Sequence, residues 1–315
     1  CEKITKINSL LQINHYKMKP INDSLSANVY DAFLEILDND KIYFTIEEIN
    51  KIKIHRLKID DYIINKNCSF LDEVAVIYKK ALLRNLTIIQ ELEKQNILYN
   101  TKDTLFFTPK SREYIKYEQR MKNFIRKSIT YDILIDISKQ SKNKDSLQKN
   151  FNKIAEISKS KIFENHKCAL NSLIKNDNSF YESFYNSFLT AYTNYFDPHT
   201  TYFNYSEKEN FISSVTANNT TVGINFEIDE NENLIVASIT PGSPAYEFGN
   251  IDSGDQLIKV KHEKSIYLVS CSTMDKISEL INSDTFSKLE FTFRKKTGDI
   301  FNVELQKKLM KIILL

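Results

Sequence analysis

The stretch that decides the fold of the C-terminal third is PGSPAYEFGNIDSGDQLIKV, residues 241–260. Pro241-Gly242 predicts a turn. Ser243-Pro244 then predicts the start of a short helix, because serine caps a helix N-terminus and proline fits the first helical position. Gly249 ends that helix, and Gly254-Asp255 turns the chain into a strand. A tight turn, helix and strand within 20 residues indicate a small, sheet-rich domain.

Strand patterns flank this stretch on both sides. Residues 222–228 alternate toward period two after Gly223, and the polar run 229–233 predicts a hairpin turn. Further strands are predicted at Leu234–Ile239, Gln256–Val260, Leu289–Arg294 and Ile300–Leu305, with one helix at Thr273–Ile281. The region therefore reads as a small β domain with one or two helices.

The upstream chain has a different character. It contains no glycine before Gly223, and the whole chain has five, where average usage of ~7% would give about 22. Apolar residues recur there at helical spacing, with Ser24 or Ser26 as the predicted cap of the first helix. The longer predicted helices are Leu71–Glu93, Tyr114–Ile137, Ile154–Ile174 and Phe180–Phe196, and a short helical pattern spans Ser206–Val215.

Two local clusters in the helical part have a structural and a functional interpretation. The aromatic stripe of the helix 180–196 suits core packing better than a ligand cradle. Asp197, Pro198 and His199 lack a third catalytic partner nearby, so we interpret them as a loop that stops this helix.

Composition excludes several classes of protein. With 43 basic and 41 acidic residues the net charge is +2, unlike the basic profile of a nucleic-acid binder. No stretch is long and apolar enough for a membrane span. The cysteines, at positions 1, 68, 168 and 271, show no CxxC and no histidine at ligand spacing. The sequence therefore predicts no metal site, no cofactor and no disulfide framework.

Cys1 leaves two interpretations open. The chain begins at an arbitrary cut in a longer precursor, or it is a mature lipoprotein whose Cys1 carries lipid after removal of a signal peptide. In the second case, lipid on Cys1 is the expected membrane contact.

The motifs together resemble one family. Residues 243–260, Asp197-Pro198-His199-Thr200-Thr201-Tyr202 and the strand led by Gly223 occur in the order found in C-terminal-processing peptidases. The resemblance is to the tail-specific serine proteases, which have a helical N-terminal domain and a PDZ domain. Residues 15–38 resemble the start of that helical domain.

The resemblance implies a peptide-binding site. Val222, Gly223 and Ile224 form the expected carboxylate loop, and the strand through Asn225, Phe226, Glu227 and Ile228 is the expected edge for an added substrate strand. Ile224 and Phe226 are expected to face a groove. Its opposite wall is Ile277 with Leu280 or Ile281.

Two departures from the family pattern matter. Asn225 occupies the position of an expected second glycine and places a side chain at the exit of the loop. The family's serine nucleophile and lysine base lie in a domain after the PDZ domain, and no matching residues follow here. We therefore name no catalytic residue and expect this chain alone not to cleave peptides.

The predicted fold class is α+β. Residues 1–205 form an all-α domain, residues 206–308 a small PDZ-like β-barrel or sandwich with one or two helices, and residues 309–315 the start of a linker. The predicted function is recognition of the C-terminal tails of substrate proteins in the cell envelope or periplasm. A fragment, a decayed gene and a split enzyme whose protease domain is a separate chain all fit. The alternative is a stand-alone PDZ adaptor.

Overall fold

A computed structural model describes residues 1–17, 19–99, 102–105, 112–139, 144–174, 176–204, 207–208, 211, 218–229, 233–269, 274–282 and 288–311. The chain forms two compact units, Cys1–Asn204 and Tyr205–Leu315. The first is helical and the second is built on an antiparallel sheet, which confirms the α+β class. Among the described residues, no helix combines the length and the hydropathy needed to cross a membrane.

Nine helices are described in the first unit. They are α1 Glu2–Asn14, α2 Asp23–Asp38, α3 Ile46–Ile52, α4 Ile59–Ile64, α5 Ser69–Glu93, α6 Glu118–Lys139, α7 Lys144–Lys149, α8 Phe151–Ile174 and α9 Asp177–Phe196. Each of the four long helices predicted from apolar spacing is present, with ends shifted by a few residues. Helix α2 packs on α9, and α8 packs on both α5 and α6.

The aromatic stripe of α9 belongs to the core. Phe184 and Phe188 are buried, and each meets Phe33 of α2 edge-to-face, with ring centroids 5.2 and 5.3 Å apart. Such edge-to-face pairs add to the stability gained from burial. The stripe thus packs α9 against α2, in agreement with the core-packing interpretation.

The cap of α2 is Asn22, not Ser24 or Ser26. The Asn22 backbone is extended, and its Oδ1 accepts hydrogen bonds from the N–H groups of Ser24 and Leu25. Ser26 is buried one turn into the helix, where its hydroxyl donates to Asp60 Oδ1 over 2.6 Å. The predicted caps therefore lie inside the helix that they were expected to begin.

The cysteines contradict the expectation of no disulfide framework. Cys1 is bonded to Cys68, with their Cα atoms 5.3 Å apart, and Cys168 is also disulfide-bonded. The first bond joins the start of α1 to the start of α5 across 67 residues, a distance in sequence that local patterns do not reveal. Lipid on Cys1 would need the same sulfur atom, so lipidation and this disulfide exclude each other.

The Asp197 cluster is a structural joint. Asp197 Oδ1 accepts from the backbone N–H of His199, and its Oδ2 accepts from the Tyr16 hydroxyl over 2.7 Å. His15 Nε2 lies 3.2 Å from Thr200 Oγ1. These contacts tie the segment after α1 to the end of α9 and occupy both carboxylate oxygens.

The second unit contains eight described strands and two helices. The strands are β1 Asn218–Thr221, β2 Ile224–Ile228, β3 Leu234–Ile239, β4 Gln256–His262, β5 Ser265–Leu268, β6 Lys288–Arg294, β7 Ile300–Gln306 and β8 Lys308–Lys311, and the helices are α10 Pro244–Phe248 and α11 Met274–Asn282. The main sheet has the order β2-β3-β4-β6-β7, with β5 on β4. Ser206–Val215 falls largely outside the described residues.

The remaining pair, β1 with β8, forms a two-stranded sheet of its own. Asn218 lies opposite Lys311 and Thr221 opposite Lys308. Residues 309–311, predicted as the start of a linker, are therefore part of a strand. This sheet lies next in sequence to Val222, so β1 delivers the chain directly to the predicted carboxylate loop.

The core of this unit lies between the sheet and its helices. Phe291 and Phe293 of β6 are fully buried, and the Phe293 ring stacks with Phe226 and with Phe301 at centroid distances of 6.4 and 5.7 Å. A short helix between β3 and β4, a longer helix between β5 and β6, and a glycine-led strand at the sheet edge make this unit PDZ-like, as predicted.

Candidate peptide-binding site

The loop before β2 is fixed by its own backbone. The carbonyl of Val222 accepts from the N–H of Ala245 over 3.0 Å, and the carbonyl of Gly223 accepts from Thr240 over 2.8 Å. The N–H of Gly223 donates to Thr221 Oγ1. These bonds attach the loop to the segment between β3 and α10, so its shape is set before any ligand arrives.

Gly223 is required at this position for two reasons. Its φ is +80°, a conformation that favours glycine, and an added Cβ would lie 2.0 Å from Ser243 Cβ. Ser243 is fully buried and caps α10, because its Oγ accepts from the N–H of Tyr246. The loop therefore packs directly on the start of α10.

Ser243 and Asp255 both stabilise the local structure. Asp255 is almost fully buried, and its Oδ2 accepts from the N–H of Asp252 and pairs with Lys295 at 3.0 Å. Burial lowers the pKa of Lys295, but Asp252 and Asp255 outweigh burial and raise it. In the described part of the chain, no group of three His, Cys, Asp or Glu side chains could hold a metal ion.

Strand β2 lies at the edge of the main sheet, with β3 on one side. The pairs Gly223–Thr240 and Asp229–Asn233 are hydrogen-bonded at the two ends of the ladder. Hydrogen-bonded and non-bonded pairs alternate in an antiparallel ladder. The register, with its irregularity between Asn225 and Phe226, therefore directs the peptide groups of Asn225 and Glu227 toward β3.

The peptide groups at the alternate positions of β2 point to the outer edge. These are the N–H and C=O groups of Ile224, Phe226 and Ile228. In the part of the chain that is described, no strand pairs with this edge. An exposed row of unpaired donors and acceptors is a template for an added strand.

The structure brings the predicted apolar lining together. Ile224, Ile277, Leu280 and Ile281 belong to one buried cluster with Val222, and Phe226 packs against it. Each of the first four is at most 8% exposed, so the lining is closed as the chain stands.

The Asn225 side chain lies away from the apolar cluster. Side chains alternate along a strand, so Asn225 and Glu227 lie on the face opposite the apolar cluster, and both are exposed. Asn225 Nδ2 donates to Ser238 Oγ over 2.9 Å on the neighbouring strand. Asn225 is also not among the residues with positive φ. The second glycine of the family is therefore not needed for the backbone here.

Comparisons with known proteins agree with the resemblance. The sequence model that describes the tail-specific protease N-terminal domain matches residues 7–206. No curated protein matches the chain.

Two solved structures show similarity at low scores. One is the PDZ domain of a carboxy-terminal protease from Vibrio cholerae in complex with peptide, at 19% identity, covering 30% of this chain and 99% of that one, with a TM-score of 0.27. The other is the photosystem II D1 C-terminal processing protease, at 16% identity, covering 46% of this chain and 37% of that one, with a TM-score of 0.28. The match thus spans well under half of the D1 protease. Because the family model covers more than half of this chain, the chain belongs to the tail-specific protease N-terminal domain family.

Proposed function

We propose that this chain is the substrate-recognition part of a tail-specific protease and that its second unit binds the C-termini of proteins. The observation that carries the proposal is the fixed loop at Gly223, which leads into the edge of β2 that no described strand covers. Family membership supports the protease context. The PDZ-like fold supports the mode of binding.

The geometry suggests how a tail is held. Carboxylate oxygens accept hydrogen bonds from the outward N–H groups of Ile224 and Phe226, and the last residues add to β2 as an antiparallel strand. Charge-assisted hydrogen bonds contribute about 1.5–3 kcal/mol each, more than neutral ones. Because Ile277 and Leu280 are buried, α11 opens only when an apolar terminal side chain replaces the contacts it loses. Small apolar terminal residues suit such a closed lining.

Cleavage of the bound tail belongs, in this proposal, to a serine–lysine domain. That domain is joined to this chain or supplied as a separate chain. The residues of this chain bind the tail and hold it in place. A purified chain of residues 1–315 is expected to show no turnover of a tagged protein substrate, and measurable cleavage would contradict this part of the proposal.

We also propose that the chain works in the cell envelope. The disulfide between Cys1 and Cys68 supports this location, because disulfides persist in oxidising compartments such as the periplasm. A non-reducing gel of protein taken from whole cells and alkylated at once tests it. Fully alkylated cysteines in the native protein would contradict an oxidising location.

The test of tail binding compares two peptides that differ in one group. A ten-residue peptide ending in small apolar residues is titrated into the full chain by calorimetry, first as the free acid and then as the C-terminal amide. We expect the acid to bind about 10- to 100-fold more tightly, the effect of losing one charge-assisted hydrogen bond in the amide. Equal affinities would refute the proposal. A peptide with the same residues in reversed order controls for nonspecific apolar binding.

A further inference from the structure

Strand β2 carries one charged side chain, that of Glu227, on the strand along which a substrate tail would bind. Glu227 is exposed, points to the face opposite the apolar cluster, and lies opposite Ile235 of β3. In the described residues, no basic side chain forms an ion pair with it. It is thus an unneutralised carboxylate at the middle of the strand that would receive a substrate tail.

The alternation of hydrogen-bonded and non-bonded pairs determines which substrate residue lies opposite Glu227. If the two carboxylate oxygens accept from Ile224 and Phe226, the terminal residue lies opposite Phe226. In an antiparallel pair the penultimate residue then lies opposite Glu227, and the third from the end lies opposite Ile228. The pair at Glu227 is of the non-hydrogen-bonded kind, in which side chains approach most closely.

We propose that Glu227 selects tails with a basic penultimate residue. This inference rests on the proposed function, because it needs the tail to lie along β2. Opposite charges that face each other across two strands attract, and like charges repel. Glu227 therefore favours Lys or Arg at the penultimate position and disfavours Asp or Glu, while the terminal residue is still chosen by the apolar lining.

The expected size of the preference is modest. Exposed ion pairs contribute about 0.2–1 kcal/mol, and the Lys-to-Glu comparison adds a repulsion of similar size, so the two peptides should differ about two- to thirtyfold in Kd. Because both charges lie at the surface, salt should screen the effect. The preference should therefore fall below about twofold at 0.5 M NaCl.

The experiment uses the full chain and two ten-residue free-acid peptides that differ only in Lys or Glu at the penultimate position, each also made as the amide. Wild type, Glu227→Gln and Glu227→Lys are titrated at low and high salt. Glu263→Gln, which changes an exposed carboxylate at the turn between β4 and β5, is the matched control. We expect wild type and Glu263→Gln to prefer Lys, Glu227→Gln to show no preference, and Glu227→Lys to prefer Glu.

The results distinguish a failure of the proposed role of Glu227 from a failure of tail binding. Free acids that outbind amides, with equal affinity for the Lys and Glu peptides, would overturn the role of Glu227 and leave tail binding intact. A Lys preference that survives in Glu227→Lys would also overturn it, because the selecting charge would then lie elsewhere. Free acids and amides that bind equally would overturn tail binding itself, and this inference with it.

Discussion

The substitution Gly223→Ala tests whether the loop and α10 pack as described. The added Cβ would lie 2.0 Å from Ser243 Cβ and 2.1 Å from its Oγ, a spacing that real atoms do not adopt, so the start of α10 must move. Alanine at a φ of +80° costs about 1–2 kcal/mol. Overpacking against buried Ser243 adds about 1–3 kcal/mol. We expect a total loss of about 2–5 kcal/mol in the local stability of the second unit.

A matched glycine separates the two contributions. Gly242 has a φ of +75° but no atom within 4 Å of an added Cβ, so Gly242→Ala carries the backbone cost alone. The difference between the two variants should therefore be about 1–3 kcal/mol, the cost of overpacking. A second check is Ser243→Gly, which removes the clashing atoms and costs a helix cap only a few tenths of a kcal/mol. When Ser243→Gly is combined with Gly223→Ala in the same chain, the double variant should regain part of the stability that Gly223→Ala loses.

Hydrogen exchange measured by mass spectrometry on the full chain is the assay, because it reports the opening free energy of each segment. Faster exchange is expected in β2, β3 and α10, with α5 of the helical unit as an internal reference. If Gly223→Ala loses no more protection than Gly242→Ala, or if Ser243→Gly gives no rescue, the described packing is wrong.

Three further predictions concern other parts of the chain. Cys68→Ser removes a disulfide whose two cysteines are 67 residues apart in the sequence. The free energy of unfolding of the helical unit, measured in urea, should therefore fall by about 2–5 kcal/mol. An unchanged urea midpoint would contradict the bond. Burial raises the pKa of Glu48, but hydrogen bonds from Arg84 and Thr45 outweigh it and lower the pKa, so this carboxylate stabilises the fold above its ordinary pKa and loses that effect as the pH falls through the folded value. Glu48→Gln should therefore cost about 1.5–3 kcal/mol of unfolding free energy at pH 7 and progressively less as the pH is lowered, whereas exposed Glu47→Gln should change little over the same range. Asn225→Gly should bind the free-acid peptide within about twofold of wild type, because the side chain lies on the far face; a gain of tenfold or more would mean that it obstructs the loop.

Local patterns were sufficient where each element has its own signal. The alternation after Gly223 and the turn residues between Pro241 and Asp255 correctly predicted β2, β3, β4 and α10. They failed for β1 and β8, which are short, and whose pairing joins Asn218 to Lys311 across most of the second unit. No spacing rule connects residues so far apart in sequence.

The helical unit shows the same limit. Asn22, Ser24 and Ser26 are all acceptable cap residues, and only the extended backbone at Asn22 decides between them. The pairing of Cys1 with Cys68 depends on α1 and α5 meeting in space, which the apolar spacing of neither helix specifies. At the site, the sequence predicted which residues cluster but not that the lining would be closed.

An NMR titration that follows the glycine amide signals is the most direct test of the central claim, because the chain has only five glycines. A sample labelled with ¹⁵N-glycine has five backbone amide signals, from Gly223, Gly242, Gly249, Gly254 and Gly298, and single substitutions at the outlying glycines assign them. Titration with the free-acid peptide should move the Gly223 signal most and leave the Gly298 signal in place, and the amide peptide should move the Gly223 signal only at about 10- to 100-fold higher concentration. A free-acid peptide that binds without moving the Gly223 signal would show that the C-terminus is held elsewhere, and the proposed carboxylate loop would be wrong.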